Sequence, residues 1–307
     1  MEPSAPPPIE TALTIPARDG YPLDALLLAP DGPPRGALVV NGATGVPKAF
    51  YRRFARHAAE RGYAALLYDY RGVAGSRPAR LRGFGATMRD WGEQDMPGAL
   101  AWLHGRYAGL PIYAVGHSVG GQLLGLMPNH ELLSAAVMVT VSTGHWRGMP
   151  PGFSLYTLAM LRLVFPLAIG AWGYLPAKLM GMGEDLPAGV AREWAAWCLH
   201  PRYLAGFYGR TVRAHHYDQF RAPLLWLTFG DDPIATPRNV PAMQRFYGAA
   251  AIEDRLVRPA DVGLPAIGHL GFFREQGRAR LWPDALAWLA ARATRGAPAI
   301  DASAESV

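Results

Sequence analysis

The stretch Tyr113-Ala-Val-Gly-His-Ser-Val-Gly-Gly121 decides the fold of this 307-residue chain, because it centres Ser118 in a Gly-x-Ser-x-Gly pattern. Before the pattern, Leu110 to Val115 has the length and the apolar, β-branched character of a buried parallel strand. After it, Gly120 to Met127 predicts the start of a helix that Pro128 ends. A strand that turns so sharply into a helix strains its central residue, and glycines on both sides let the two segments pass closely.

A turn of this kind exposes the hydroxyl of Ser118 at the N-terminus of a helix. The backbone N–H of Val119 would there help to stabilise an oxyanion, aided by the positive end of the helix dipole. The chain holds 35 glycines, so the pattern alone is a weak signal, and its weight comes from the flanking strand and helix. The sequence therefore predicts that Ser118 is a nucleophile, with an ordinary tight turn as the alternative.

Length and composition predict a globular protein of one large or two small domains, since 50% of the residues are hydrophobic. The net charge is +6, but the basic residues are scattered without interleaved aromatics, so nucleic-acid binding is not expected. The single cysteine, Cys198, excludes an intramolecular disulfide and a cysteine-built metal site, and it is expected to be a packing residue. Met1 to Pro8 lack the features of a secretory signal, which predicts a cytoplasmic protein.

The order of the predicted elements indicates an α/β fold. A β-hairpin turning at Asp19-Gly20 opens the chain. Strand and helix patterns then alternate over residues 9–142 and again over 221–293, which predicts one core domain with a mostly parallel central sheet and helices on both faces. The small and polar terminal segments, 1–8 and 296–307, are expected to be disordered.

The alternation is interrupted over residues 143–220, which we expect to form a helical cap insertion over the carboxyl ends of the strands, where ligands bind in such sheets. The apolar run Phe153 to Leu175 reaches the length of a membrane span, but Arg162, Pro166 and Gly170 interrupt it. The run therefore predicts a pair of apolar cap helices and no stable membrane span. An exposed apolar cap face would also suit a homodimer.

An activated serine needs a base and a group that orients the base. Two aspartates, Asp231 and Asp232, directly follow the predicted strand Leu224 to Phe229 and its Gly230, at the sheet edge that also carries the serine. Asp232 is the first candidate for the orienting acid and Asp231 is the alternative. Aspartates that merely shape a turn are the other explanation for the pair.

His269 is the predicted base. It lies in a glycine-containing loop, Leu264 to Phe273, after the last predicted strand, where it can swing over Ser118. Of the other histidines, His57 and His104 lie in predicted helices, His117 lies beside the serine but points away from it, and four belong to the insertion. An ordinary loop histidine is the alternative explanation.

The chain order of serine, aspartate and histidine is that of the α/β-hydrolase fold, and the predicted core resembles that superfamily nearly throughout. The loop Asp69 to Ser76 resembles the family's loop after the fourth strand. More narrowly, Ala43-Thr-Gly-Val-Pro47, the double aspartate and Gly268-His-Leu-Gly-Phe-Phe273 are similar to a bacterial group of predicted serine hydrolases of the serine esterase or aminopeptidase type. The resemblance does not extend to the insertion.

The resemblance also implies a second oxyanion donor, which the family usually supplies from a His-Gly-x segment after the third strand. That segment is Asn41-Gly42-Ala43 in this chain, so the N–H of Ala43 is the expected donor, with a plain Gly-rich turn as the alternative. A serine nucleophile separates the chain from the haloalkane dehalogenases and epoxide hydrolases of this fold, which use an aspartate. No cofactor and no metal are expected.

Together these residues predict a serine hydrolase that works through an acyl-enzyme. Ser118 would attack the carbonyl of an ester, thioester or amide, His269 would carry the proton, and Asp232 would hold the imidazole. The Trp-rich insertion favours a small apolar ester as the substrate. An acyltransferase with the same acyl-enzyme is the alternative among enzymes, and a non-catalytic protein that binds hydrophobic ligands is the alternative outside them.

Overall fold

The computed structural model describes residues 7–292. The strands of this part of the chain are β1 (Ile9–Pro16), β2 (Pro22–Ala29), β3 (Gly36–Asn41), β4 (Tyr63–Tyr68), β5 (Ile112–His117), β6 (Ala135–Val139), β7 (Tyr174–Leu175), β8 (Leu186–Pro187), β9 (Leu224–Phe229) and β10 (Ile252–Val257). The α-helices are α1 (Arg52–Ala59), α2 (Met88–Asp90), α3 (Met96–Arg106), α4 (Val119–Gln122), α5 (Pro151–Ala159), α6 (Phe165–Trp172), α7 (Ala188–Leu199), α8 (Asn239–Gln244) and α9 (Trp282–Ala290). The disorder predicted for residues 1–6 and 296–307 lies outside the described residues.

Eight strands form one sheet in the order β1-β2-β4-β3-β5-β6-β9-β10. The β1–β2 hairpin is antiparallel, as is the β2–β4 pair, and all later pairs in the sheet are parallel. Every residue of β3, β4, β5, β6 and β9 is buried, as expected for strands that are covered on both faces. The predicted α/β fold with a mostly parallel sheet is therefore confirmed.

Successive residues of each central strand pack alternately into two hydrophobic cores, one on each face of the sheet. In β3, Val39 joins the apolar cluster that includes α3, while Leu38 and Val40 join the cluster that includes α1 and α9. This alternation follows from the two-residue period of a strand. The sheet is thus held between two helical layers, and its carboxyl edge carries the loops that the sequence singled out.

The helix after the serine is shorter than predicted. α4 ends at Gln122 and continues as a 3-10 turn, Leu123–Leu126. The hydroxyl of Tyr247 donates to the carbonyl of Gly121 at 2.7 Å and accepts the N–H of Gly125 at 3.2 Å. An uninterrupted α-helix would join those two groups directly. The inserted hydroxyl takes the place of that bond, a tertiary contact that local sequence cannot reveal.

Residues 143–220 contain α5, α6, the short β7–β8 pair and α7. The predicted pair of apolar helices is instead one continuous helix, Pro151–Trp172, in which a π-turn, Met160–Val164, joins α5 to α6. The wider turn lies directly before Pro166, whose ring and missing N–H an uninterrupted α-helix would not accommodate. The division of the chain into a core and a cap stays a prediction.

That helix is, within residues 7–292, the one long and apolar enough to cross a bilayer by length and composition. It has 22 residues, and 28% of its most apolar stretch is buried. The helix therefore leaves several large apolar side chains exposed, among them Leu155, Leu163 and Leu167.

Candidate active site

Ser118 occupies the junction between β5 and α4 with φ 51° and ψ −115°, a backbone conformation that costs a non-glycine residue free energy. The flanking glycines allow this turn. A Cβ on Gly116 would lie 2.5 Å from the Cα of Gly121, and one on Gly120 would lie 2.0 Å from the carbonyl oxygen of Asn41. Only glycine fits at these two positions, because the strand, the helix and the β3 loop touch through their backbones.

The backbone around the serine is fixed while its hydroxyl stays available. The N–H of Ser118 donates to the carbonyl of Val139 at 2.9 Å, and its own carbonyl accepts the N–H groups of Gly121 and Gln122. Val119 is the first residue of α4, so its N–H has no acceptor within that helix. α4 has only four residues, and the aid expected from a helix dipole is correspondingly small, since the dipole sums over aligned peptide units.

Asp232 faces His269 from the loop after β9. Its Oδ2 accepts a hydrogen bond from His269 Nδ1 at 2.7 Å, and the side chain of Asp232 has 0% exposure. Its Oδ1 accepts the N–H groups of Ile234 and Ala235 at 2.8 and 3.1 Å. Because a carboxylate only accepts, the imidazole carries a proton on Nδ1, which leaves Nε2 free to take one.

Asp231, the alternative acid, has a different position. Its carboxylate accepts the N–H of Ile267 at 2.8 Å through one oxygen and the N–H of Gly268 at 3.0 Å through the other. It therefore holds the backbone directly before His269 and does not touch the imidazole. Apart from the adjacency of the two aspartates, nothing in the sequence indicated that one would bond the imidazole and the other the loop backbone.

The backbone of His269 is fixed against the elbow by two further groups. His117 Nε2 donates to the His269 carbonyl at 2.9 Å, and the Thr140 hydroxyl lies 3.3 Å from the same oxygen. The rings of His117 and His269 have centroids 5.6 Å apart. Among residues 7–292 the Ser118 hydroxyl donates no hydrogen bond to the imidazole; such bonds often form only when a substrate is bound.

His117 is the centre of a buried hydrogen-bond chain that the sequence did not predict. Since its Nε2 is the donor to His269, its Nδ1 accepts, and the hydroxyl of Tyr51 donates to it at 2.9 Å. The Tyr51 oxygen in turn accepts the N–H of Ala43 at 2.7 Å. Burial lowers the pKa of His117 to about 3, so the ring stays neutral at ordinary pH. The sequence feature that could have pointed to this role is the position of His117 directly before Ser118.

The hydrogen-bond chain through His117 and Tyr51 involves Ala43, the expected oxyanion donor. The N–H of Ala43 points at the Tyr51 hydroxyl in this structure, so it is engaged and not free to meet a substrate oxygen. Asn41, which stands where the family usually has histidine, is buried and accepts the Tyr68 hydroxyl at 2.7 Å. The loop is therefore polar and tightly bonded, and it is more than a plain glycine-rich turn.

Other chemistry-bearing residues lie apart from this site. Cys198 is a buried free cysteine, and burial raises its pKa to about 12, so the thiol stays protonated. Within the described part of the chain, no group of three histidine, cysteine, aspartate or glutamate side chains is arranged to hold a metal ion.

Comparison with known proteins adds a family and a set of structural neighbours. Residues 37–293 match the sequence profile described as "Alpha/beta hydrolase family". No curated protein matches the chain by sequence. A hypothetical protein from Pseudomonas aeruginosa aligns over 94% of this chain and 95% of its own, with 18% identity and a TM-score of 0.59.

Esterases are among the structural neighbours. One from Pyrococcus furiosus is 12% identical, covers 94% of this chain and 91% of its own, and has a TM-score of 0.58. A thermostable carboxyl esterase from Bacillus coagulans is 12% identical, covers 92% of this chain and 98% of its own, and has a TM-score of 0.60. At such identities the likeness is one of fold.

Proposed function

Because this chain belongs to the α/β-hydrolase family, we propose that it is a serine hydrolase that cleaves the carboxylic ester of a small apolar substrate through an acyl-enzyme. The observation that carries the proposal is the 2.7 Å hydrogen bond from His269 Nδ1 to the fully buried Asp232 carboxylate. The imidazole so oriented belongs to a loop that is bonded to the residue next to the strained Ser118.

The reaction proceeds in two halves. Ser118 Oγ attacks the carbonyl carbon while its proton passes to His269 Nε2, and Asp232 stabilises the imidazolium. His269 then gives the proton to the departing alkoxide as the ester C–O bond breaks, which leaves an acyl-serine. Water attacks that acyl group, its proton passes to His269 and then to Ser118, and the carboxylic acid leaves.

We assign oxyanion stabilisation first to the N–H of Val119, which begins α4 and adjoins the nucleophile. Ala43 becomes the second donor if the developing oxyanion displaces the Tyr51 hydroxyl from its N–H. A negatively charged oxygen is a stronger acceptor than a neutral hydroxyl. Each such donor is worth on the order of 3 kcal/mol of barrier.

An apolar cap suits a small hydrophobic substrate. We propose an ester over a thioester or an amide because structural neighbours are described as esterases. Acyl transfer to an alcohol would use the same acyl-enzyme, and product analysis with added alcohol separates the two. Cytoplasmic residence stays a prediction of the sequence.

The test is labelling with a fluorophosphonate, read by intact mass, on wild type, Ser118→Ala and His269→Ala. Ser134→Ala serves as the matched control, because this serine directly precedes β6, at the opposite edge of the sheet. We expect one adduct on wild type and the control, none on Ser118→Ala and strongly slowed labelling of His269→Ala. Turnover of p-nitrophenyl esters of increasing chain length then sizes the pocket. A folded wild type with neither adduct nor turnover contradicts the proposal and favours a ligand-binding protein.

A further inference from the structure

The helix Pro151–Trp172 presents a row of large apolar side chains to the outside. Leu155, Leu163 and Leu167 are 65%, 61% and 74% exposed, and Tyr156 and Trp172 are 53% and 44% exposed. The three leucines are spaced by eight and four residues, so they lie along one face of the helix. A contiguous apolar face of this kind marks an interaction surface on a folded protein.

The charges around this face are of one sign. Between Arg147 and Lys178 the chain has a single charged residue, Arg162, which is exposed near the middle of the helix. The first carboxylates beyond it are already neutralised: Glu184 pairs with Lys178 at 2.7 Å, and Asp185 pairs with Arg77 at 3.1 Å. The helix thus offers one cation, Arg162, and no carboxylate of its own.

Both ends of the helix segment connect to the proposed active site. Just before the helix, the Gly148 carbonyl accepts the Thr236 hydroxyl at 2.7 Å, in the loop that follows Asp232. After the helix, the N–H of Glu184 donates to the Gly45 carbonyl at 2.7 Å, two residues beyond Ala43. The segments that flank the helix are therefore bonded to loops of the proposed active site.

We propose that this helix, which we call the cap helix, docks in the surface layer of an anionic lipid bilayer. Leucines with tyrosine and tryptophan at the two ends would enter the boundary between headgroups and acyl chains, and Arg162 would meet a lipid phosphate. The helix lies in that surface and does not cross it. Crossing would strip Leu161, Phe165 and Ile169 from the protein core, where they are at most 5% exposed, and would place Arg162 at the bilayer centre.

A second copy of the chain fits the cap helix less well. Two-fold pairing of a helix about its centre brings its middle residues together. Here the two Arg162 side chains would meet, and the 22-residue helix supplies no carboxylate for either of them. The same arginine that opposes self-association favours an anionic surface.

The test is co-sedimentation of the full-length Ser118→Ala protein with two kinds of vesicle, phosphatidylcholine alone and phosphatidylcholine mixed with phosphatidylglycerol. Using Ser118→Ala separates binding from hydrolysis, so failure of the proposed chemistry leaves this test intact. We expect preferential binding to the anionic vesicles, weakened by salt. Added Arg162→Gln should weaken anionic binding by about fivefold.

Added Leu163→Glu or Leu167→Glu should each weaken binding by at least about tenfold, because each removes an apolar side chain from the lipid boundary. Leu256→Glu is the matched control, since Leu256 is 53% exposed on the edge strand β10, away from the cap helix. Equal loss in the control and the cap variants contradicts the proposal, as does failure to bind either vesicle. Self-association that Leu167→Glu abolishes, without vesicle binding, would assign the face to a second copy instead.

Discussion

The adjacent aspartates allow the proposed site to be tested by substitutions one residue apart. Asp232 bonds the imidazole of His269, whereas Asp231 bonds only the backbone N–H groups of Ile267 and Gly268. Asp232→Asn should therefore lower kcat by about 10⁴-fold, as loss of a triad carboxylate does elsewhere. Asp231→Ala should act through the position of the loop and cost far less.

The loss of activity expected for Asp231→Ala follows from the two hydrogen bonds that this substitution removes. Hydrogen bonds to a charged group contribute about 1.5 kcal/mol each at the low end of their range, which suits the exposed Asp231 carboxylate. Loss of about 3 kcal/mol lowers the ratio of ordered to displaced loop by about 100-fold. This is the upper limit for the loss of activity, because His117 still bonds the His269 carbonyl. Asp231→Asn keeps one accepting oxygen and should lose about tenfold.

The assay is kcat/KM for a p-nitrophenyl ester together with the rate of fluorophosphonate labelling. Hydrogen exchange over residues 264–270 supplies the independent readout: the loop amides should exchange faster in Asp231→Ala and remain protected in Asp232→Asn. The reasoning is refuted if Asp231→Ala loses as much activity as Asp232→Asn while staying folded. It is equally refuted if Asp231→Ala changes neither activity nor exchange.

Three further predictions concern stability. Gly120→Ala should destabilise the fold by at least about 1–3 kcal/mol because its Cβ would meet backbone, whereas Gly105→Ala, in open space on α3, should stabilise by about 0.5–1 kcal/mol; urea denaturation compares the two, and similar effects would contradict the packing argument. Burial holds the pKa of His117 at about 3 against an ordinary 6.5, so the folded state binds fewer protons and stability falls as pH drops from about 6.5 towards 3. His117→Gln should remove about 1.4 kcal/mol per pH unit of that slope, and identical slopes in denaturation series from pH 7 to 4 would disprove it. Tyr247→Phe should lower the free energy of unfolding by about 1–3 kcal/mol, because its hydroxyl bonds the buried Gly121 carbonyl and Gly125 N–H. The same urea denaturation measures it, and an unchanged denaturation midpoint would show that these two hydrogen bonds do not stabilise the fold.

The sequence predicted the parts of the molecule that local pattern determines. The elbow at Ser118 was visible because the Gly-x-Ser-x-Gly pattern is contiguous in the sequence, although the backbone contact that requires Gly120 is with the distant Asn41. The parallel sheet was visible because its central strands are mostly apolar. The separate positions of Asp231 and Asp232 were not predictable, since adjacent carboxylates on one loop point to different partners only after folding.

Other features depended on residues far apart in the sequence. The Tyr51 hydroxyl that engages the Ala43 N–H has no local signature. The apolar run was expected to form a pair of helices, but a π-turn joins its two parts into one helix that continues through Pro166. In each case a tertiary contact or a change of helix type overrode a sound local rule.

Two tyrosine hydroxyls bond carbonyls at the end of α4, and both come from residues that are synthesised much later. The carbonyl of Gln122 receives the hydroxyl of Tyr217, 95 residues later, and that of Gly121 receives Tyr247, 126 residues later. During synthesis the chain emerges from its N-terminus, so these two carbonyls meet water instead of the tyrosine hydroxyls until residues 217 and 247 have been made. His269 emerges later still. A chain that stops before residue 217 thus lacks its proton carrier and both bonds to the end of α4, and the chemistry we propose becomes available only after His269 has been made.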